Sequence, residues 1–381
     1  MKKNLILSAA LVLSASSAMA QSGTFQVKAN MKNFGDTILV VKGRGEKMDT
    51  VLSKKDKFAY TTQLDKPKEI YLATPGALRG TENKLCRLIA VPGEKAELAG
   101  DALTRFDVTG STFYKQYHNV DILTEYAQKE MNAYGDSLSK LIENGGDKEK
   151  IIKEYQEQMP ILQKKVNDKY FDYIAQHPNE DATATLITSF ESLEDMEKAK
   201  GMLSESVREG RMKSFYQEAI DQLKAQKEAD EKAAKLQAAG VEAPDFTLKD
   251  IDGNDFTLSS LRGKYVVLDF WGSWCGWCIK GMPQMKEYYK KYEGKFEIVG
   301  VDCNDTEQKW KDAVKKHELP WKHVYNPRAN SQEEMTASVL GKYAIQGFPT
   351  KIVLSPEGKI VKTIVGEDPA FYDLLDSLFG K

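Results

Sequence analysis

The chain has 381 residues, of which 41% are hydrophobic and 29% are charged, and its formal net charge is −2. This length is enough for two or three domains with substantial hydrophobic cores. The nearly balanced charge gives no electrostatic reason to expect nucleic acid or an anionic membrane as a partner, so neither is predicted.

The first twenty residues have the pattern of an export signal. Two lysines follow the initial Met, residues 5–13 form a short apolar core, and a small-residue cleavage site ends at Ala20. The apolar run is too short to span a bilayer, and no later run is long enough either. We therefore expect residues 1–20 to be a signal peptide, cleaved near Ala20, and the mature protein to be periplasmic without a membrane span. The alternative is a retained membrane anchor.

Residues 21–112 have the pattern of a small antiparallel β domain, sandwich-like in its strand spacing. Apolar and polar residues alternate over residues 25–31, which is the period of a half-buried strand. From residue 113 the period becomes helical, and residues 113–240 are predicted to be an α-helical region that ends in an exposed connector. The further strands predicted in the β domain are residues 37–41, 57–61, 69–73, 85–91 and 95–99.

Residues 241–381 alternate strands with helices, which predicts an α/β domain containing mixed strand directions. The predicted strands are residues 265–271, 296–301, 322–325, 351–354 and 359–365. The predicted helices are residues 278–292, 309–317, 334–343 and 369–379.

Four cysteines follow the predicted signal, too few for a disulfide framework in a secreted protein of this size. Cys275 and Cys278 lie three residues apart, where an apolar strand gives way to a helix. A helix N-terminus stabilises an anion, so Cys275 is predicted to be the exposed attacking thiolate of a redox-active disulfide. Cys278, one helical turn later and more buried, is predicted to resolve the mixed disulfide.

Other interpretations of the cysteines are a static disulfide or half of a zinc site. Zinc needs about four ligands, but the chain has no second cysteine pair, and His317 and His323 lie in a different part of the sequence. No metal and no other cofactor is therefore predicted. Cys86 and Cys303 are predicted to be small buried residues, with a bridge between them as the alternative.

Two motifs resemble thioredoxin. The first is the run from Trp271 to Cys278, with Pro283 in the helix that follows. The second is the sequence GFPT at residues 347–350, which precedes a predicted strand and resembles the cis-proline loop of that superfamily.

Within the superfamily, the chain resembles the periplasmic TlpA/ResA-like branch. The similarity lies in the export signal and in the sequences APDFTL at residues 243–248, DGN at 252–254 and LSSLRGK at 258–264. It covers about residues 241–381 and implies a thioredoxin fold with thiol-disulfide oxidoreductase activity. Residues 21–240 resemble the β-rich and helical extension that often precedes such domains in exported proteins.

The resemblance also implies roles for individual residues. Pro349 would shape the site, and the backbone of Phe348 would pair with an incoming peptide. Asp269 lies where thioredoxin keeps a buried carboxylate, which can accept the proton of the Cys278 thiol. A charged residue inside an apolar strand needs a reason, although a capping or surface role is the alternative.

Two tryptophans and one glycine complete the candidate site. Trp274 and Trp277 are predicted to form an apolar rim that contacts a protein substrate, unless they simply pack beside the helix. Many ResA-like proteins carry Glu three residues after the second cysteine, where this chain has Gly281. Asp269 is the candidate to replace that acid. The Gly276-Trp277 dipeptide differs from the Gly-Pro of thioredoxin, so the reduction potential stays open.

The preferred function is the reduction of disulfides in exported proteins. The resemblance suggests that a transmembrane thiol reductant of the DsbD/CcdA kind supplies the electrons. The alternatives are an oxidase or isomerase with the same fold, a peroxidase, and a client-binding scaffold with a secondary redox domain.

Overall fold

The computed structural model describes residues 22–43 and 45–380, so the predicted export signal at residues 1–20 lies outside the described residues. The described residues form two compact units, and the boundary lies between Lys224 and Ala225. In the described ranges, no helix combines the length and the apolar character needed to cross a membrane.

Within the described residues, the β-rich part of the first unit has two four-stranded sheets, ordered β4-β1-β7-β8 and β3-β2-β5-β6. Its strands are β1 Gly23–Lys32, β2 Thr37–Val41, β3 Asp49–Leu52, β4 Lys57–Leu64, β5 Lys68–Ala73, β6 Leu85–Ala90, β7 Lys95–Asp101 and β8 Phe106–Gly110. The described pairs are antiparallel, except that β1 and β7 run parallel. The predicted antiparallel β domain is confirmed. Strand β3 escapes prediction because it buries no side chain completely.

Alternating side chains from both sheets fill one core. Phe25 and Val27 on β1, and Ile70 and Leu72 on β5, are almost completely buried in the same cluster. The first long helix adds Tyr114 to this cluster, which places helical residues in the core of the β-rich part.

Helices make up the rest of the first unit, as the sequence predicts. They are α1 Pro75–Leu78 between two strands, then α2 Thr112–Glu143, α3 Lys148–Gln176, a 3₁₀ helix Asp181–Ser189, α4 Leu193–Met202, α5 Glu205–Arg208 and α6 Lys213–Leu236. Helix α6 continues past Lys224 into the segment predicted to be an exposed connector. None of residues 221–240 is buried there, because this segment has little apolar surface.

A buried carboxylate connects the β-rich part with these helices. Ser111, at the N-cap of α2, makes no capping bond of its own. Instead, Glu94 accepts the N–H of Phe113 at 3.1 Å and the hydroxyl of Ser111. The second oxygen of Glu94 pairs with Arg211 at 2.7 Å, and Arg211 also binds Asp181 at 2.7 Å. One side chain therefore satisfies donors at the start of α2 and in the segment that precedes α6.

In the described part of the second unit, a seven-stranded sheet has the order β10-β9-β13-β12-β11-β14-β15. Its strands are β9 Thr247–Asp250, β10 Asp255–Thr257, β11 Tyr265–Trp271, β12 Phe296–Cys303, β13 Lys322–Asn326, β14 Thr350–Leu354 and β15 Ile360–Val365. Strands β11, β12 and β13 are parallel, and their outer neighbours are antiparallel. The predicted α/β fold with mixed strand directions is confirmed.

The helices of the second unit are a 3₁₀ helix Leu258–Leu261, α7 Gly276–Lys291, α8 Glu307–Lys316, α9 Gln332–Ala337, α10 Val339–Lys342 and α11 Ala370–Phe379. The single helix predicted over residues 334–343 is wrong, because Ser338 divides it into α9 and α10. The Ser338 hydroxyl accepts the N–H of Gly341 at 3.2 Å and so caps a new helix. The β9–β10 hairpin escapes prediction because its strands are too short to show alternation.

The central strand β11 is buried on both faces of the sheet. Val267 and Trp271 belong to the core that α7 and α11 cover, whereas Leu268 and Phe270 belong to the core on the opposite face. Side chains alternate along a strand, so Asp269 lies on the same face as Val267 and Trp271. The only charged side chain of β11 therefore faces the helix that begins at the cysteine pair.

Replacing Glu94 by Gln should lower the free energy of unfolding of the first unit by about 2 kcal/mol. Gln offers only one acceptor oxygen, so either the start of α2 or Arg211 faces an amide N–H in a buried position. Urea unfolding followed by circular dichroism measures the loss. The exposed Glu97 on β7 gives a matched control, Glu97→Gln, for which we expect no loss. Equal stability of the two variants would contradict the role of Glu94.

Candidate active site

Cys275 and Cys278 form a disulfide in the structure, with an S–S distance of 1.99 Å and a Cα–Cα distance of 5.3 Å. Strand β11 ends four residues before Cys275, and α7 begins immediately after it. Cys275 is the N-cap residue of α7, and its sulfur accepts the N–H of Cys278 at 3.2 Å. A thiolate at this position would be stabilised by that N–H and by the positive end of the helix dipole.

This position supports the assignment of Cys275 as the attacking sulfur, because a helix N-terminus lowers the pKa of a cysteine. The sequence predicts that Cys275 is exposed and that Cys278 is more buried, and this prediction is wrong for the disulfide form. Cys275 is 6% exposed and Cys278 is 5% exposed. The bond holds both sulfur atoms together against the same core, so only their place in the helix distinguishes them.

Contacts with β12 and the loop after it hold the segment before the cysteines. Asp305 accepts the N–H and the hydroxyl of Ser273, each at 2.6 Å, and the indole N–H of Trp274 donates to the Cys303 carbonyl at 2.9 Å. A Cβ on Gly272 would overlap the Trp274 indole and lie 2.8 Å from the same carbonyl. Glycine at this position therefore permits the Trp274 contact.

Both tryptophans beside the disulfide are largely exposed. Trp274 is 53% exposed and Trp277 is 63% exposed, and the ammonium of Lys280 lies 4.7 Å from the centre of the Trp277 ring. The structure therefore places two large apolar surfaces next to the cysteines, where sequence reasoning expects a rim.

The loop before β14 reaches the same place. The peptide bond between Phe348 and Pro349 is cis, and the Phe348 ring packs edge to face on Trp274, with centroids 5.3 Å apart. Among the described residues, neither the amide nor the carbonyl of Phe348 makes a hydrogen bond. This backbone is therefore available to pair with a peptide.

Asp269 is 4% exposed, and its Oδ1 atom has no hydrogen-bond partner among the described residues. Burial raises the pKa of Asp269 to about 6; the Lys351 ammonium lowers it in part, and the Glu367 carboxylate adds to the rise. Lys351 lies directly opposite Asp269 in the β11–β14 register. Its ammonium binds the Glu367 carboxylate at 2.6 Å. Burial therefore makes Asp269 a weaker acid than an exposed aspartate.

Sequence reasoning does not find four acidic or basic residues near the site: Lys351, Glu367, Asp302 and Asp305. Lys351 interrupts an apolar strand, the same signal that singles out Asp269. Asp302 and Asp305 mark the carboxyl end of β12, beside that of β11, where α/β sheets place their sites. Burial and the neighbouring Asp305 raise the pKa of Asp302 to about 9. Glu367 lies in a loop and gives no signal.

The other two cysteines take no part in a disulfide. Cys86 and Cys303 are free, and both are completely buried. Burial raises the pKa of each thiol above its ordinary value, which makes both poor nucleophiles. The alternative of a bridge between them is therefore wrong. In residues 22–43 and 45–380, no group of three or more His, Cys, Asp or Glu residues could hold a metal ion.

Asp269→Asn should stabilise the oxidised second unit by about 3 kcal/mol at neutral pH. The folded state binds the proton of Asp269 more tightly than the unfolded state, so wild-type stability falls as pH rises from 3.8 to about 6. The gain should vanish below this window, where the carboxyl group is protonated in both states. All five tryptophans lie in the second unit, so tryptophan fluorescence during urea unfolding reports on it alone. An equal gain at low and neutral pH would argue against a buried carboxylate.

Comparisons with known proteins find relatives of the C-terminal part of the chain. Residues 239–363 match the AhpC/TSA family. The chain is 36% identical over 129 residues to the thiol-disulfide oxidoreductase ResA of Bacillus anthracis, covering 34% of this chain and 70% of the relative. It is 34% identical over 128 residues to ResA of Bacillus subtilis (strain 168), covering 33% and 67%.

A crystal structure of the thioredoxin domain of a thiol-disulfide oxidoreductase from Bacteroides vulgatus is 34% identical, with a TM-score of 0.33, and the match covers 37% of this chain and 98% of that one. Both relatives from Bacillus are thiol-disulfide oxidoreductases, and the match covers two thirds or more of each. This chain therefore belongs to the TlpA/ResA-like thiol-disulfide oxidoreductases of the thioredoxin superfamily.

Proposed function

We propose that this oxidoreductase is a periplasmic reductase of disulfides in exported proteins. The observation that carries the proposal is the sulfur of Cys275 at the N-cap of α7, where it accepts a backbone N–H at 3.2 Å. Two exposed tryptophans flank this position. A stabilised thiolate beside an apolar surface is suited to attack a disulfide in another protein.

In the first step, the Cys275 thiolate attacks one sulfur of the substrate disulfide. A bond forms between Cys275 and that sulfur, the substrate S–S bond breaks, and the other substrate sulfur leaves as a thiolate that takes a proton from water. The helix N-terminus favours this step, because its unpaired N–H groups and its dipole stabilise the anionic form of the Cys275 sulfur.

In the second step, Cys278 must lose its proton to attack. Asp269 is the proton acceptor, since its buried Oδ1 atom has no other partner in the described structure and its pKa of about 6 leaves it ionised at neutral pH. The Cys278 thiolate then attacks the sulfur of Cys275 and expels the second substrate thiolate. The products are a substrate dithiol and the enzyme disulfide.

The substrate is an extended segment of polypeptide. The free amide and carbonyl of Phe348 would pair with its backbone, next to the cis-Pro349 turn. The exposed faces of Trp274 and Trp277 would bury its apolar side chains.

The proposed export and electron supply rest on the sequence and on the family resemblance. The signal predicted at residues 1–20 supports a periplasmic location, where substrate disulfides form. Each turnover oxidises the cysteine pair, so a reductant must restore it. We propose a transmembrane thiol reductant of the DsbD/CcdA kind, which the family resemblance suggests.

A reductase assay should distinguish the roles of the two cysteines. Cys275→Ser should abolish the reduction of insulin, whereas Cys278→Ser should form a stable mixed disulfide through Cys275 that appears as a covalent adduct on a non-reducing gel. Cys303→Ser is the control, because that thiol is buried and free. Wild-type protein that fails to reduce insulin would refute the reductase, and unchanged client capture by Cys275→Ser, Cys278→Ser would favour a scaffold.

The direction of exchange should appear in the reduction potential of the Cys275–Cys278 pair. We expect a value near about −270 mV, as in thioredoxin, when the pair is titrated against dithiothreitol. A value near about −120 mV, as in DsbA, would make the protein an oxidant. Turnover of hydrogen peroxide, measured in the same samples, would instead favour a peroxidase.

A further inference from the structure

A buried ion pair lies beneath the cysteine helix. The Lys351 side chain is 3% exposed and the Glu367 side chain is 16% exposed, with 2.6 Å between their charged atoms. Taking two charges out of water costs more than such a pair commonly returns, so burial of this pair is not explained by stability. Its position suggests a role at the site.

Lys351 and Asp269 are directly opposed on β14 and β11. Opposed residues on neighbouring antiparallel strands project from the same face of the sheet, with Cβ atoms about 5 Å apart. Lys351 therefore stands between two acids, hydrogen-bonded to Glu367 and facing Asp269, whose Oδ1 atom has no partner in the described structure.

Helix α7 leaves room for the Glu367 carboxylate at one position. Gly281 lies three residues after Cys278, and a Cβ atom there would overlap all three atoms of that carboxylate. Glu367 comes from the loop after β15, yet its acid lies against the helix one turn beyond the resolving cysteine. The acid beside the first turns of α7 therefore comes from the loop after β15 and not from the helix itself.

We propose that Glu367 is a positioning residue for proton transfer from Cys278: it holds Lys351 and, together with Lys351, sets the proton affinity of Asp269. This rests on the proposed function, in which Asp269 takes the proton of Cys278 before the Cys278 sulfur attacks Cys275. No additional reactant is needed, because the proton passes from the Cys278 thiol to the Asp269 carboxylate.

The two charges act on Asp269 in opposite directions. Lys351 lowers its pKa and Glu367 raises it. Other titratable groups near Asp269 are Tyr372 on α11 and Cys303 on β12. Burial raises the pKa of both, so they stay neutral at neutral pH and contribute no charge.

Lys351 and Glu367 act on the proton affinity of Asp269 in opposite directions, so replacing each one should have opposite effects. A purely structural role of the pair would not produce opposite effects. Glu367→Gln leaves Lys351 free to attract Asp269, which lowers the proton affinity of Asp269. Lys351→Met removes the attraction and leaves the repulsion from Glu367, which raises it. The double variant Glu367→Gln, Lys351→Met removes both effects.

The experiment is stopped-flow reaction of the reduced full chain with an aromatic disulfide that releases one coloured thiol at each step. The first release reports attack by Cys275 and the second reports attack by Cys278. We expect the pH midpoint of the second release to fall by about one unit in Glu367→Gln and to rise by about one unit in Lys351→Met, each a tenfold change in proton affinity. The double variant should return close to wild type.

The first release should keep its rate in every variant. Glu357→Gln, at an exposed glutamate in the β14–β15 turn, is the matched control and should leave both releases unchanged. If Glu367→Gln fails to fold, Gly281→Ala provides the second variant, since its methyl group displaces the Glu367 carboxylate and should also lower the midpoint.

Unchanged midpoints in both single variants, or shifts in the same direction, would overturn the proposal. Failure of the proposed function looks different, because wild-type protein would then show no second release at any pH. The two outcomes are therefore distinguishable in one set of measurements.

Discussion

The change from strand to helix at residues 271–276 is the constraint on which the site depends. Strand β11 is buried on both faces and ends at Trp271, and α7 begins at Gly276. The turn between them must place the Cys275 sulfur at the first free N–H groups of the helix. Gly272 provides space, Asp305 binds the backbone of Ser273, and Trp274 anchors on the β12 carbonyl. These contacts fix where Cys275 stands, and the helix supplies the electrostatic environment that a thiolate needs.

Burial of charge is the second constraint. An acid inside the sheet keeps its proton more tightly because water is excluded, and a nearby cation partly offsets this effect. Asp269, Lys351 and Glu367 form such a set, with a net negative charge when all three are ionised. The ionised carboxylate of Asp269 lowers the stability of the folded protein at neutral pH. The same raised pKa makes this carboxylate a better acceptor for the proton of a thiol.

Local features of this site were predictable from sequence, whereas its long-range contacts were not. Three such features are the cysteine pair at a strand–helix junction, the cis bond between Phe348 and Pro349, and the burial of Asp269. Each is indicated by residues only a few positions away in the sequence. The pairing of Lys351 with Glu367 depends on how β14 turns into β15 and on space beside Gly281 in another element. The two cysteines are equally buried because the disulfide holds them together. The spacing of apolar residues in the sequence does not reveal that constraint. The division of one helix at Ser338 shows a cap overriding an apolar pattern.

The position of Glu94 has a consequence for how this architecture can evolve. Its carboxylate serves as the cap of α2 and binds an arginine that precedes α6, so the β-rich part is incomplete without the helices. A gene fragment ending near residue 112 would encode this buried acid without the N–H of Phe113 and without Arg211. Recombination that moved the β-rich part into another protein without these helices would leave the Glu94 carboxylate buried and without two of its partners.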